Sequence, residues 1–504
     1  MNELQGLEAQ KLLSDQLNAA LNGISDVLAP FEPTSALHNF ANTFRAIEEF
    51  INLPMFGIDD ESLKRDLINL RLDNPDPLRL VSIRDRLFKN SHKEVANRII
   101  VLIVQASAMF SGFAMQGIHE AAAGLQTVGH AIGYFQSRRR HLLAILYSIP
   151  TACKGSRPLV ALDTLNVILP LAEMSGIPIT SNHNMLMLCL LHSDFKVFAT
   201  DKGYTCSHFY NVLDSSFLEP ERVPITEMEK LMADKSFLKN LEKKPRGKLF
   251  SAAELRNDIK VIAAAYSEFD LANSPAYMSV ANFVTACSRL CEDDYYVKIS
   301  ETKLEAMIIE HAIPAATKKL LTQNGDDYVA NLNSYAPFVS VGGNYFSTVT
   351  LLSRFMHQWK ILVLNRVKRF QIRSGFILED SVKRELMKQE YFVTDIKRIN
   401  GSEFDVVATM DGIIYNIQCK NNLIDFSRIE VNPKLFVRYN RQLDRYYTQA
   451  LKKEESRENL LKTKLQLNQV VHVIVSRFPI ATTNPRVIPF SKISRFKEII
   501  AQQI

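Results

Sequence analysis

The sequence predicts a multidomain fold. An all-α N-terminal region of stacked helical pairs is followed by an α/β C-terminal domain with a central mixed sheet flanked by helices. Three observations predict it. Up to about residue 215, apolar residues recur every three or four positions. From Pro337 onward short β-branched runs appear, bounded by Gly-Gly, Asn-Gly and Asp-Gly. The charge changes as well: residues 354–504 hold 27 Lys and Arg against 15 Asp and Glu, a net of +12, and the remainder nets −6. At about 150 residues per domain, 504 residues suggest roughly three domains. The expected boundaries are a helical domain at 1–215, a linker and second helical region at 216–335, and an α/β domain at 336–504 with its core at 375–504. A content of 47% hydrophobic and 23% charged residues, without low-complexity tracts, excludes a disordered, collagenous or coiled-coil chain.

In chain order, helices are expected over 8–28, 36–52, 78–90, 94–118, 120–150, 158–175 and 183–198, with prolines mostly between them or at their ends. No fixed repeat period is present, so a solenoid is not required. Ile99–Ile118 is free of charge over 20 residues, long enough to cross a bilayer. Gln105, Ser107, Ser111, Gly112, Gln116 and Gly117 dilute it, so a buried hairpin within the helical domain is the expectation and membrane contact is not. The first ten residues hold no basic stretch followed by an apolar core, so no signal peptide is expected. Six cysteines lie scattered without a CxxC pair, as in a cytoplasmic protein. Cys287 and Cys291 stand one helical turn apart, but no second pair completes a zinc pattern. His119, His130, His141, His183, His192 and His208 read as ordinary surface or core histidines.

A polar stretch from Glu219 to Lys248, ending in a basic run, reads as the linker. Helices follow at 251–273, 276–292 and 301–322. Phe338–Val341 then reads as a strand, Gly342-Gly343 as a turn, and Thr348–Arg373 as a long helix on which Trp359 packs a core. Gly375 opens a helix to about Gln389, with Glu379, Val382 and Leu386 on one face. A carboxylate on an apolar face is costly unless a cation meets it. Tyr391–Ile396 reads as a strand, Asn400-Gly401 as a turn, and Phe404–Met410 and Ile413–Lys420 as the arms of a hairpin around Asp411-Gly412.

The Asp-Gly turn fixes the hairpin register. Met410 faces Ile413, so Asp405 faces Gln418, and Lys420 points the same way as Gln418. Phe404, Val406, Ile417 and Cys419 are expected on the other face. A carboxylate, an amide oxygen and the intervening Cys419 carbonyl make a hard-oxygen set suited to Mg²⁺ or Mn²⁺. Lys420 beside them can orient or deprotonate a water, or neutralise charge developing on a phosphodiester. The plainer reading is a turn-capping Asp with Gln and Lys on a solvent-facing strand.

Gly375…Glu379, Asp405 and Gln418-Cys419-Lys420 together resemble the restriction-endonuclease-like PD-(D/E)XK nuclease superfamily. The Gln-x-Lys form resembles its Mrr-like members. The resemblance covers about 130 residues, from Gly375 to Ile504. It implies that Asp405, Gln418, the Cys419 backbone carbonyl and Glu379 hold the metal and that Lys420 assists the attacking water. Gln418 stands where Glu is commoner, and Phe404 where Pro is. Pro433–Leu465 reads as one or two basic helices, and its Arg438, Arg441 and Arg445 are candidate nucleic-acid contacts. Gln442 and Tyr446, four apart on one helix face, resemble the supporting Gln-x-x-x-Tyr motif of RecB-type members. Strands at Val470–Val475 and Val487–Phe490 and a helix at Lys492–Ile500 complete an α-β-β-β-α-β-β-α order. The implied activity is Mg²⁺-dependent cleavage of DNA, with RNA not excluded, suited to bacterial defence against foreign DNA. The helical region would bind a protein partner or self-associate. A nuclease fold without turnover, serving as a nucleic-acid-binding or scaffold protein, and a nuclease tethered to a membrane through 99–136 are the alternatives.

Overall fold

The computed structural model describes residues 2–53, 60–90, 93–200, 203–208, 241–243, 251–422 and 429–502. The expected linker at 219–248 falls outside the described residues apart from 241–243. The chain forms two compact units. One comprises 16–181 and 228–361, the other 1–15, 182–227 and 362–504. Each unit is assembled from separated stretches of chain, unlike the consecutive segments expected from sequence.

The first unit is mostly helical. Its central helix, Val128–Ala152, buries 17 side chains, among them Leu142, Ile145, Tyr147 and Ile149. The expected helix at 120–150 is interrupted: His119–Ala123 stands alone, and Thr127 caps the start of the long helix by accepting from the His130 amide. The central helix is tied by polar bonds that a purely apolar core would lack. Arg139 and Glu48 form a buried ion pair at 2.5 Å. Tyr147 donates to the Ala336 carbonyl at 2.6 Å, and Arg140 to Asn333 Oδ1, also at 2.6 Å. The helix Lys93–Met115, expected as a buried hairpin, buries only a stripe comprising Ala96, Ile99, Leu102, Ile103, Ala106, Met109 and Phe113. Val101 and Val104 on its opposite face are exposed. It is the one helix among the described residues long and apolar enough to cross a membrane.

The expected helix at 158–175 is a continuous run from 161 to 191 containing two π-helical turns, Thr164–Ile168 and Ala172–Gly176. Each ends two residues before a proline, Pro170 or Pro178. A proline donates no amide and its ring collides with the carbonyl four residues back; a widened turn relieves both defects. Two strands, Tyr296–Ser300 and Asn344–Thr348, were not expected, whereas Val339–Val341 falls within the expected strand at Phe338–Val341. Tyr296–Ser300, Asn344–Thr348 and Val339–Val341 form a small antiparallel sheet in this unit. Gly342 and Gly343 both take positive φ in its turn, as the sequence suggests. Trp359 is buried and donates to the Ala276 carbonyl at 3.0 Å, so it packs a core as expected.

Two histidines of this unit are buried uncharged. Desolvation, with Arg138 and Arg140 nearby, pulls His141 down to about 3, and desolvation pulls His357 well below the ordinary imidazole value. Both gain protons on unfolding below about pH 6.5, the free-imidazole value. Their contribution is therefore complete above pH ~6.5 and is lost as pH falls toward the folded values. Each should cost up to about 1.4 kcal/mol of stability per pH unit in that window. Urea denaturation midpoints should fall between pH 7 and about 5, and His141→Gln should flatten the fall. An unchanged pH profile in the variant would contradict the assignment.

The second unit holds the α/β part. Its elements are α1 (Lys368–Lys388), β1 (Phe392–Val393), β2 (Val406–Met410), β3 (Ile413–Lys420), α2 (Pro433–Glu455), α3 (Glu458–Leu465), β4 (Gln469–Ser476), β5 (Val487–Pro489) and α4 (Phe496–Ala501). The sheet order is β5-β4-β3-β2-β1. β1, β2 and β3 are antiparallel, and β3, β4 and β5 are parallel, which gives a mixed sheet. One face packs on α1 and α4 through Leu378, Val382, Leu386, Val406, Ile417, Val475 and Phe496. The other meets α2 through Leu443, Tyr447, Leu451 and Ile474, and α3 through Leu461.

The hairpin register is as expected: Val406 pairs with Ile417 and Met410 with Ile413. Asp411 (φ 52°) and Gly412 (φ 78°) both take the left-handed conformation that a two-residue turn demands. Gly375 does not open a helix. It lies inside α1, and the break falls at 365–367, where Val367 is extended. Residues 2–5, 196–200 and 203–206 form a separate antiparallel sheet, so 183–198 is not one helix and 1–215 is not all-α. Ala9, Leu13, Met187, Phe195, Phe436 and Ala481 share one buried cluster. A fragment beginning at residue 336 would therefore lose part of its own core.

Candidate active site

The site lies where β2 and β3 leave the antiparallel ladder. Asp405 immediately precedes β2, and Gln418, Cys419 and Lys420 end β3. The register dictated by the turn sets Asp405 against Gln418, and the side chains meet: Gln418 Nε2 donates to Asp405 Oδ2. The Cys419 amide donates to the same oxygen at 2.8 Å. Asp405 Oδ1 accepts nothing from the described residues. Cys419 thus offers its N–H to the carboxylate, whereas the sequence singled out its carbonyl.

Glu379 approaches from α1. It is half-buried at the edge of the apolar stripe of Ile377, Leu378, Val382 and Leu386. Burial, and then the charge of Asp405, push its carboxyl up to about 7. Burial also raises Asp405, against the opposing effects of the Cys419 amide, the Gln418 side chain and the Lys420 charge. A half-buried carboxyl whose ionisation is opposed by burial and by the charge of Asp405 is one that an added cation would relieve. The donor set fits a hard divalent ion: two half-buried carboxylates, an unengaged Asp405 oxygen and an amide that turns its oxygen inward by a flip of its end. Asp405, Glu379 and Gln418 would hold the ion, which would supply Lewis-acid polarisation of a bound phosphate.

Lys420 stands over the Tyr446 ring, 5.4 Å from its centroid. Tyr446 and Gln442 are exposed on α2, on the wall of an open groove of about 820 Å³. Arg438, Arg441 and Arg445 line the same groove. Of these, Arg441 also donates to the Leu191 carbonyl at 3.3 Å. The supporting pair and the three arginines therefore share one surface. Tyr446 meets the cluster through Lys420, and among the described residues no hydrogen bond joins Gln442 to Glu379, Asp405, Gln418 or Lys420.

Phe404 departs from its expected face. It lies before β2 begins and packs with Val407, Ile414 and Leu461, with the Arg457 guanidinium 5.0 Å above its ring. A polar network behind the site escaped the sequence reading. Asn416 donates to Glu454 at 2.9 Å and lies 3.2 Å from His472 Nδ1, and Glu454 pairs with Arg457. The signal was available: Asn416 is two residues before Gln418 and so shares its face. Arg477, which follows β4, donates to Ser374 at 2.5 Å and Asn421 at 2.9 Å, fastening α1 to the end of β3. Nothing local in the sequence marked it.

Compared with known proteins, the chain matches no family model, no curated protein and no solved structure.

Proposed function

We propose that the chain is a metal-dependent nuclease of the restriction-endonuclease-like PD-(D/E)XK type, hydrolysing phosphodiester bonds of DNA. The observation that carries this reading is the meeting of Asp405 with Gln418 and the Cys419 amide at the end of the central β2–β3 pair, two positions before Lys420 and within electrostatic reach of Glu379. The element order α1-β1-β2-β3-α2-α3-β4-β5-α4 with a mixed five-stranded sheet supports it. In the reaction, a water oxygen bonds to phosphorus and gives up a proton while the P–O bond to the leaving sugar oxygen breaks, and that oxygen takes up a proton to leave as a hydroxyl. Asp405, Glu379 and Gln418 would hold Mg²⁺ or Mn²⁺, which would supply Lewis-acid polarisation, and the Lys420 ammonium offsets charge gathering on the phosphate oxygens. Defence against foreign DNA in the bacterial cytoplasm belongs to the same proposal, as does a partner or self-association role for the helical region. The test is incubation of the full chain with duplex DNA, single-stranded DNA and RNA, in Mg²⁺, Mn²⁺ or EDTA. DNA cleavage abolished by EDTA is expected; no cleavage of any substrate would leave a nuclease fold acting as a binding or scaffold protein.

The groove arginines give a separate expectation. Replacing Arg438, Arg441 and Arg445 together with Glu should weaken duplex binding by the full chain on the order of a hundredfold at low salt and flatten its salt dependence. Filter binding across a salt series measures this. An unchanged salt slope would remove the groove from the DNA path.

A further inference from the structure

A second cluster of ligating side chains lies away from the candidate active site. The helix Ile177–Leu191 ends at a turn into the strand Lys196–Thr200, and the His192 amide still donates to the Leu188 carbonyl at 2.9 Å. His192 and Asp194 lie in that turn. The strand pairs with Gly203–Cys206, Val197 facing Cys206, so extending the register by two places sets Phe195 opposite His208. The hairpin thereby returns His208 to the turn: its ring stacks on His192 with centroids 4.4 Å apart and on Phe195 at 6.1 Å. His208 Nε2 lies 3.6 Å from Asp194 Oδ1. One ligand atom from each of His192, Asp194 and His208 lies within 4.8 Å of the other two.

We propose that His192, Asp194 and His208 bind a divalent transition metal, Zn²⁺ by preference, with water completing the coordination. Two imidazoles and a carboxylate suit zinc better than Mg²⁺ or Ca²⁺. Zn–N distances of about 2.0–2.1 Å set tetrahedral ligands about 3.3 Å apart. A pair at the 4.8 Å limit would have to close by about 1.5 Å to reach this spacing, and Asp194, with 74% of its side chain exposed, is free to swing. His208 is also held as metal-binding histidines are. Its Nδ1 lies 2.8 Å from Ser207 Oγ, and Ser207 is fixed by two bonds to the Lys196 backbone, at 2.9 and 3.0 Å. With Nδ1–H donated to Ser207, the Nε2 lone pair faces Asp194, the outer-shell arrangement that orients a ligating imidazole. A simple ion pair accounts for less. At 3.6 Å it is longer than a hydrogen bond, and it gives the His192 ring nitrogens no partner among the described residues. The carbonyl end of the preceding helix adds negative potential at the same place. Bound metal would pin the turn at 192–194 to the end of the hairpin.

The test uses the full chain carrying Asp405→Ala, so that the candidate active site contributes no metal. After stripping with EDTA, addition of zinc and desalting, about one equivalent should remain by elemental analysis, and zinc should raise Tm. Adding His192→Ala or His208→Ala should remove both effects; His208→Gln is the milder variant if the alanine protein folds poorly, as judged by circular dichroism without metal. Co²⁺ in place of Zn²⁺ should give visible bands without the near-ultraviolet charge transfer of thiolate ligands. Zinc retained equally by the histidine variants, no zinc retained by the parent, or a thiolate band from Cys287 and Cys291 would each overturn the proposal.

Discussion

Asp405→Ala and Lys420→Ala should each abolish DNA cleavage without unfolding the protein. Asp405 accepts from both the Gln418 side-chain amide and the Cys419 N–H. On the proposed reading, its removal would take away one ligand and half of the paired charge that would attract the ion. Lys420 is the cation nearest that oxygen set along β3, and its loss leaves charge on the phosphate uncompensated. Each change should raise the barrier by on the order of 3 kcal/mol or more, at least about a hundredfold in rate. Asp405 is half-buried and outside the apolar clusters of the sheet, so alanine should leave the circular dichroism spectrum of the wild type. Wild-type cleavage by either variant would show that the site is elsewhere.

Gln418→Glu should keep or raise activity, and Gln418→Ala should lower it sharply. Glutamate preserves the oxygen ligand and adds a charge that a hard cation favours. It also removes the hydrogen bond from Gln418 Nε2 to Asp405 and sets a third carboxylate against Glu379, whose carboxyl already sits at about 7. The Glu variant should therefore depend more steeply on metal: little activity at low Mg²⁺, and at least wild-type activity at saturation. Alanine loses both the ligand and the hydrogen bond. Metal titrations of the three proteins decide; a harmless alanine would make Gln418 an ordinary strand residue.

The hairpin was legible because an Asp-Gly turn leaves one register, and that register alone joins Asp405 to Gln418. The apolar stripe of α1 was legible too, and with it the position of Glu379. Gly375 was misleading: a glycine at a helical boundary resembles one inside a helix, and the break depends on Val367, eight residues earlier. Pairings without a local turn left no trace. Asn2–Gln5 joins Lys196–Thr200 across most of the helical sequence, and Phe436 completes a core with Ala9 and Leu13. Phe404 was assigned by strand alternation, but it precedes the strand, where alternation does not yet hold. His192 and His208 looked scattered because only the hairpin between them brings them together.

The central claim is that Asp405 and Glu379 jointly hold a divalent cation. Electron paramagnetic resonance of Mn²⁺ titrated into the full chain carrying His208→Ala, with Mg²⁺ as competitor, tests it most directly. Bound Mn²⁺ should be displaced by Mg²⁺, and adding Asp405→Ala or Glu379→Gln should abolish or greatly weaken it. Equal Mn²⁺ binding with and without these two substitutions would contradict the account.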